Sequence, residues 1–145
     1  MQVRRATLFD VSTLAAMLFE MHKNTEIKTS KINPEKLIGK INEAIHRGVV
    51  LIAHENNIAV GSIAGMTACD WWSDENYFSD LWFYVKPESR KSKAASLLVT
   101  SFIKIGNEAK LPIRLGHIFS GDLDRKDKFF ERLGLSKAGS VYVEN

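Results

Sequence analysis

The sequence is poor in cysteine, with Cys69 as the only one among its 145 residues. A single cysteine cannot close a disulfide within the chain and cannot supply a cysteine-rich zinc cluster. These absences exclude a disulfide-stapled secreted scaffold, and we expect no bound metal and a reducing, cytoplasmic location. A lone cysteine in an apolar strand is usually a core residue, so we assign Cys69 no role as a nucleophile.

Long apolar runs are also missing. No stretch approaches the roughly 20 residues that a membrane span requires. The opening residues MQVRRATLFD carry two arginines with no apolar segment behind them. We therefore expect neither a secretory signal nor a membrane partner. The formal charge is only +3, which attracts polyanions weakly, so a nucleic-acid partner is not expected either.

The remaining composition is that of a globular protein. The chain is 45% hydrophobic and 26% charged, which is enough apolar material for one sizeable core. No internal repeat, low-complexity tract or linker divides it. We therefore expect a single domain over residues 1–145.

Periodicity and turn residues predict a mixed chain in the order β-α-α-β-β-β-α-β-α-β. Asp10 is placed to cap the first helix. The second helix has Asn33 as its cap and Gly48 as a left-handed end. The pair Asn56-Asn57 predicts a hairpin turn between two strands, because asparagine tolerates a positive φ.

The segment SDLWFYVKP predicts a central strand that is buried on both faces. Its apolar side chains alternate, with Leu81, Phe83 and Val85 on one face and Trp82 and Tyr84 on the other. A helix from about Ser92 to Ala109 follows, and further strands are predicted over residues 112–120 and 137–145. The strand–helix–strand sequence implies a parallel pair with a right-handed crossover.

The junction between the central strand and the next helix is basic and carries small residues. The first amides of a helix have no intrahelical acceptor and bear the positive end of the helix dipole. Arg90, Lys91 and Lys93 add positive charge beside them. This combination favours a phosphate or diphosphate ligand. The alternative is a solvated basic turn with no ligand.

The spacing V-x-P-x-x-R-x-x-x-x-A, here Val85, Pro87, Arg90 and Ala95, resembles the coenzyme A signature of the GNAT superfamily of N-acetyltransferases. About forty residues later, FFERLGL at 129–135 is similar to the end of a helix in that family. The element order also agrees, so the resemblance covers nearly the whole chain. It implies a mixed α/β (α+β) fold, in which a central, splayed sheet of six to seven strands is flanked by about four helices.

The resemblance implies acetyl-CoA as the co-substrate. The splayed strand would pair its main chain at Phe83 and Val85 with the pantetheine arm, as an added strand does. The amides from Lys91 to Ser96 would hold the diphosphate. The cofactor-binding residues implied in this way are Phe83, Tyr84, Val85, Arg90, Lys91, Ser92, Lys93, Ala94, Ala95 and Ser96.

Two positions depart from the pattern of the family. Lys93 stands where a glycine is usual, and a Cβ there is a handicap if the position needs a positive φ or close approach of the backbone. A lysine at a helix start can also reach a phosphate as a point charge. Phe130 stands where many members have the tyrosine that protonates the leaving thiolate. A thiol pKa near ~8.5 makes the thiolate a fair leaving group even without that acid.

Direct transfer to an amine requires a base, because an ammonium group has no lone pair, and a donor for the oxyanion, which we expect from a main-chain amide near Val85. Asp80, at the start of the central strand, is the first candidate for the base and His117 is the second. The structural alternatives are a strand-start residue facing water and a satisfied, half-buried histidine. Tyr142 is a candidate for the missing acid, together with Tyr84, Tyr77 or a water.

The segment CDWWSDENYFSD is acidic and aromatic and lies between two strands. Its aromatic side chains are candidate walls of an acceptor pocket: Trp71, Trp72, Tyr77 and Phe78. Its carboxylates are candidates for attracting a cationic amine: Asp70, Asp74, Glu75 and Asp80. The alternative is a surface loop whose aromatic residues only anchor it to the core.

The favoured function is an acetyl-CoA-dependent N-acetyltransferase that acylates a primary amine of a small molecule or a protein. A catalytically weakened or inactive coenzyme A-binding module with this fold is the second hypothesis, and Lys93 and Phe130 favour it. Nucleic-acid binding would need an extended basic face. A homodimer, in which a second subunit helps to form the acceptor pocket, stays open.

Overall fold

A computed structural model describes residues 1–24, 31–117 and 122–144. Its helices are α1 (Val11–Lys23), α2 (Pro34–Arg47), α3 (Ala94–Glu108) and α4 (Leu123–Arg132). Its strands are β1 (Gln2–Arg5), β2 (Val49–Glu55), β3 (Ile58–Cys69), β4 (Asn76–Val85) and β5 (Ile113–Arg114). They form one sheet in the order β1-β2-β3-β4-β5. Only β4 and β5 are parallel.

The mixed α+β class and the four helices are confirmed, but the predicted six to seven strands are too many. The described residues contain five strands. Residues 137–144 form no strand, and Val141, Tyr142 and Val143 are all exposed. Alternation alone does not make a strand, which needs a partner edge and a face to bury. The strand predicted over 112–120 is reduced to Ile113–Arg114, and residues 118–120 lie outside the described residues.

The sheet separates two apolar layers. On one face α1 and α2 pack over a cluster that includes Leu14, Ile41 and Trp82. On the other face α3 packs over a cluster that includes Phe78 and Phe102, whose rings stack at 4.3 Å. Strand β4 contributes to both clusters, which confirms it as a central strand covered on both faces. Cys69 ends β3 and is exposed, so its prediction as a core residue is wrong.

Local signals at the helix and hairpin ends were mostly reliable. Asn33 caps α2, because its Oδ1 accepts the amide of Lys36 at 3.1 Å. Asn56 and Asn57 adopt φ of 51° and 63°, as the hairpin requires. Gly48 is not left-handed, since its φ is −118°. A glycine is needed there because a Cβ would collide with the carbonyl oxygen of Gly65.

The start of α1 differs from the prediction. Asp10 makes no side-chain capping bond to α1. Its carboxylate instead accepts the amide of Thr7 at 2.8 Å and two bonds from the Arg4 guanidinium, both at 2.8 Å. The bonds from Arg4 are the main cause that lowers the pKa of Asp10 to about 2. Asp10 therefore fastens β1 to the turn before α1.

A β-bulge interrupts β4 at Leu81. Trp82 lies opposite Ala64 and Asp80 opposite Gly65, so Leu81 has no partner on β3. The extra residue turns Leu81 away from the face of Phe83 and Val85, where the alternation had placed it. Leu81 lines a cleft with Trp82 on the α1–α2 side and is 40% exposed.

The bulge also changes which main-chain groups point away from β3. Before it, the amide of Phe78 points toward β5 and donates to Pro112 at 2.8 Å. After it, the amide of Lys86 points toward β3 and donates to Val60 at 2.9 Å. Because these groups alternate along a strand, the main chain of Phe83 and Val85 points away from β3.

Strands β4 and β5 pair at only two positions and then part. The pairs are Phe78 with Ile113 and Ser79 with Arg114. Beyond them, the outer edge of β4 from Asp80 to Val85 has no strand partner within the described residues. This is the splayed pair that the resemblance implied. Among the helices of the described part, none combines the length and apolar character that crossing a bilayer requires.

Candidate active site

The turn after β4 is held against the strand that precedes it. Residues Pro87–Ser89 form a short 3-10 turn. The Nε of Arg90 donates to the carbonyl oxygen of Val85 at 3.0 Å. The Arg90 guanidinium also lies 5.8 Å from the centre of the Tyr84 ring. A cation is thus fixed at the end of the unpaired edge of β4.

The start of α3 offers several free amides. Among the described residues, no protein acceptor is found for the backbone amides of Lys91, Lys93, Ala95 and Ser96. Two other amides of the segment predicted to hold a diphosphate are used within the turn. Ser92 donates to Ser89 at 3.0 Å, and Ala94 donates to the Ser92 hydroxyl at 3.2 Å. Within the described part of the chain, four of the six amides, rather than all of them, thus have no partner near the positive end of the helix dipole.

Lys93 fits its position without backbone strain. It adopts φ −76° and ψ −2°, which is the right-handed helical region open to any L-residue. The glycine that is usual in the family is therefore not required by the backbone here. The side chain is exposed at the helix start, where its charge adds to the dipole.

Lys126 of α4 is a cation that the sequence analysis missed. Its pKa is lowered, mainly by burial and then by the charge of Arg90. Because the charge of Arg90 affects the pKa of Lys126, the two side chains lie near each other. Arg90 is on the turn after β4 and Lys126 is on α4. No local pattern links positions 36 residues apart, although the basic character of LDRKDKFFER was visible. Two adjacent cations attract an anion more strongly than either does alone.

Asp80 bridges the gap where β4 and β5 part. Its Oδ1 accepts the amide of Gly116 at 3.1 Å. Burial is the main cause that raises the pKa of Asp80 to about 6, opposed by the bond from Gly116 and by the charge of His117. A carboxylate with this pKa is largely ionised at neutral pH but holds a proton more tightly than an ordinary aspartate. That is a property suited to a general base.

His117, the second candidate for the base, lies close enough to Asp80 for its charge to affect the pKa of that carboxyl group. Both candidates are therefore at the gap between β4 and β5. The Nε2 of His117 lies 2.9 Å from Oδ1 of Asp127 on α4. Asp127 also binds Lys137 at 3.2 Å. The bond with His117 is the main cause that lowers the pKa of Asp127. The imidazole ring stacks on Phe130, with the ring centres 5.4 Å apart. Sequence analysis did not find Asp127, because the pairing spans ten residues and depends on how α4 docks.

Solved structures with similar backbones are acetyltransferases. A predicted acetyltransferase with acetyl-CoA from Clostridium acetobutylicum has a TM-score of 0.76 and 18% identity, covering 99% of this chain and 95% of that one. The ribosomal-protein-alanine N-acetyltransferase of Brucella melitensis has a TM-score of 0.72 and 14% identity, covering 100% and 99%. AAC(6')-Iy in complex with the bisubstrate analogue CoA-S-monomethyl-acetylneamine has a TM-score of 0.75 and 12% identity, covering 99% and 96%.

This chain has the GNAT acetyltransferase fold. The identities are low, so the likeness shows the fold and not the activity. No protein-family model matches the sequence, and no protein of curated function matches it. The sequence resemblance to the GNAT superfamily is thus supported at the level of the backbone.

The GNAT fold does not bring all the predicted catalytic residues together. Tyr142 is 92% exposed and makes no hydrogen bond or ring contact with the described residues. Tyr84 is buried toward α1, where its hydroxyl lies 3.2 Å from Oε2 of Glu20 and donates to it. Burial first, and then that bond, raise the pKa of Tyr84. The Arg114 guanidinium covers the ring of Tyr77 at 3.7 Å.

The acidic, aromatic loop of this GNAT fold is only partly available for an acceptor. Phe78 is buried in the core and does not wall a pocket. Asp70 is held by Arg114 through two bonds of 2.8 Å, so much of its charge is already balanced. Trp71 and Trp72 are exposed, with their rings edge to face at 5.3 Å. Among the residues proposed for the acceptor pocket, these two, with Asp74 and Glu75, are exposed.

A cleft of about 250 Å³ opens on the α1–α2 side of β4, beside the bulge. Its lining is mostly apolar and comes from α1, α2, the segment before α2, and β4: Leu18, Met21, His22, Ile32, Leu37, Lys40, Leu81 and Trp82. It was not found from the sequence, because the alternation placed Leu81 on the opposite face. The GNAT fold thus carries free amides on one side of β4 and an apolar cleft on the other.

Proposed function

We propose that the protein is an acetyl-CoA-dependent N-acetyltransferase that transfers the acetyl group directly to a primary amine. The observation that carries this proposal is the set of four unpaired amides at the start of α3, beside the cations of Arg90 and Lys126 and at the end of an unpaired strand edge. A diphosphate and a peptide-like arm are the ligand parts that fit these two features.

Each part of the donor has a place in this proposal. The amides of Lys91, Lys93, Ala95 and Ser96 bind the diphosphate, with Arg90 supplying charge. The pantetheine arm, which contains two amide groups, adds to β4 along the main chain of Phe83 and Val85. The carbonyl oxygen of Val85 already accepts from Arg90, so the arm has the amide of that residue and both groups of Phe83 to pair with.

The chemistry is a direct displacement. Asp80 takes a proton from the ammonium form of the acceptor, and the neutral nitrogen then attacks the acetyl carbon and loses its second proton to water as the amide forms. The carbon–sulfur bond breaks, and the electron pair leaves with the coenzyme A sulfur. Binding both reactants across the gap between β4 and β5 removes much of the entropic cost of their encounter.

The acceptor amine enters through the cleft beside Leu81. Since six of the eight lining residues in the described part of the chain are apolar and none of these eight is a carboxylate, we propose that the acceptor carries an apolar group next to its amine. A polycationic acceptor would need carboxylates to balance its charge. Lys40 is paired with Glu43 at 3.0 Å, which leaves the cleft without a strong field of either sign.

Calorimetric titration with acetyl-CoA tests the donor site, and release of coenzyme A thiol with a panel of amines tests turnover. We expect saturable binding at one site per chain and fastest thiol release with arylalkyl or aliphatic amines. No binding would contradict the proposal. Binding without turnover on any amine would favour the alternative of an inactive coenzyme A-binding module, for which Phe130 is the supporting observation.

A further inference from the structure

One nitrogen of the His117 imidazole makes a hydrogen bond, and the other has no partner among the described residues. Nε2 carries the hydrogen toward Asp127, because a carboxylate can only accept. Nδ1 is buried and has no hydrogen-bond partner within the described residues. A buried polar atom without a partner costs stability, so a nitrogen left in this state points to a group that arrives from outside the chain.

The position of the ring indicates which reactant that group belongs to. His117 stacks on Phe130, and the Phe130 ring lies 6.2 Å from the ring of Phe83. Phe83 packs on the α3–α4 face of β4, which is opposite the face that carries the acceptor cleft. His117 is therefore on the side of the donor, next to the strand residue whose main chain we assign to pantetheine.

We propose that His117 is the general acid that protonates the coenzyme A thiolate, and that Asp127 is the residue that positions it. This inference rests on the proposed function and assigns the proton that Phe130, which has none to give, does not supply. Asp127 fixes the hydrogen on Nε2, so in the imidazolium the second N–H is at Nδ1 and faces the reacting sulfur.

The protons balance over one turnover. Asp80 accepts the first proton of the ammonium, and the nitrogen loses its second proton to water as the amide forms. His117 gives one proton from Nδ1 to the thiolate, which leaves as a thiol. The ring is then neutral, with its Nε2 hydrogen still on Asp127. Asp80 releases its proton and His117 regains one from solvent, which restores both groups.

Three charged side chains surround the imidazole and set its field. Asp80 reaches it from β4, Asp127 from α4, and Lys137, which is bound to Asp127, from the segment after α4. Two carboxylates and one ammonium leave a net negative environment.

The proposed contact between His117 and the coenzyme A sulfur can be tested with coenzyme A alone, in the absence of an acceptor amine. An imidazolium lowers the pKa of a neighbouring thiol, whereas a free thiol has a pKa near ~8.5. We expect the ultraviolet absorbance of the thiolate to show a lowered thiol pKa when coenzyme A is bound to the wild type. His117→Gln should return it toward the free value, reducing the thiolate fraction near neutral pH by roughly tenfold, the size of one pKa unit. Asp127→Asn should give a smaller change in the same direction.

The matched control is His46→Gln, which removes a histidine of α2 on the other side of the sheet. It should leave the thiol titration unchanged. An identical thiol pKa in the wild type and both site variants would overturn this inference alone. Failure of the wild type to bind coenzyme A would overturn the proposed function and this inference with it.

Rates of acetyl transfer by the variants distinguish a general acid from a general base at His117. With an amine of low pKa, which is already neutral at the assay pH, Asp80→Asn should recover most of its rate while His117→Gln does not. Added imidazole should restore activity to His117→Ala, and pyrazole, which is similar in size but a far weaker base, should not. Recovery of His117→Gln with the neutral amine would instead make His117 a base.

Discussion

At the scale of single residues, Asp80 combines the proposed catalytic role with an unfavourable setting. Burial raises its pKa to about 6, so the ionised form that the reaction requires is the form that the fold disfavours. Function and stability therefore make opposite demands on this side chain.

Replacing Asp80 with asparagine should lower the rate of acetyl transfer. General-base catalysis contributes roughly 10²- to 10⁴-fold, and we expect a loss in that range with little change in acetyl-CoA affinity. In the wild type, kcat/KM for an alkyl amine that is protonated at neutral pH should rise with pH through about 6, and this limb should vanish in the variant. Asp74→Asn, which changes an exposed carboxylate of the neighbouring loop, is the control. An unchanged rate in Asp80→Asn would move the base elsewhere.

The same substitution should raise stability at pH 7.5. The pKa of Asp80 is higher in the folded state, at about 6, than its ordinary value of 3.8. The folded state therefore prefers the protonated form. Its favourable contribution is fully present below about pH 4 and is lost as pH rises through 6. Thermal unfolding should show a higher Tm for Asp80→Asn than for the wild type at pH 7.5, and no such gain at pH 4. Equal differences at both pH values would contradict the assignment of the raised pKa.

At the scale of elements, the turn between β4 and α3 should bind the donor without holding the fold together. Arg90→Glu places a carboxylate beside the free amides and removes a charged donor, so acetyl-CoA affinity should fall by at least about tenfold. Tm should change little, because the turn is mostly exposed. Lys104→Glu makes the same charge change further along α3 and should leave the affinity intact. Calorimetry compares them, and equal affinities for Arg90→Glu and wild type would remove the turn from the site.

The bulge in β4 depends on a close approach at Gly65. A Cβ there would lie 2.7 Å from Cζ of Phe102 and 2.8 Å from Cζ of Phe78. We expect Gly65→Ala to destabilise the protein by about 1–3 kcal/mol, as overpacked cores do. Gly39→Ala in α2, where a Cβ meets nothing within 4 Å, should stabilise by about 0.5–1 kcal/mol. Chemical denaturation measures both, and the opposite order would show that the bulge tolerates a larger residue.

Elements with local signals could be predicted from the sequence, whereas those set by pairing could not. Asn33 and the Asn56-Asn57 turn act within a few residues, so their effect is visible in the chain itself. The bulge at Leu81 depends on the register with β3, which alternation does not encode. The strand expected near Tyr142 failed for the same reason, because alternating apolar residues have no preference for a strand without an edge to join.

The candidate site divides in a similar way. The basic turn follows from the order strand, turn, helix, so Arg90 and Lys93 could be proposed as site residues from the sequence, and their role in binding stays a prediction. Lys126 and Asp127 could not, because each acts on a residue that only the docking of α4 brings near. Lys93 stands where the family usually has a glycine, and its ordinary helical φ shows that the backbone does not require a glycine there.

At the scale of the whole molecule, the sheet lies between the two sites that we propose for the donor and the acceptor. The donor features lie at the start of α3 and on the α3–α4 face of β4, and the acceptor cleft lies between α1, α2 and β4. The parting of β4 from β5 opens the layer between them, with Asp80 and His117 at the opening. The acetyl transfer that we propose would use all of these features together.

The proposed reaction depends on coenzyme A binding at the amides that begin α3, and the backbone amide resonances of the protein report whether it binds there. In a titration with acetyl-CoA followed by ¹H–¹⁵N correlation spectra, we predict the largest shifts at the amides of Lys91, Lys93, Ala95 and Ser96, with smaller shifts along Phe83 and Val85. Unmoved amides at the start of α3, with the shifts concentrated elsewhere, would contradict the account.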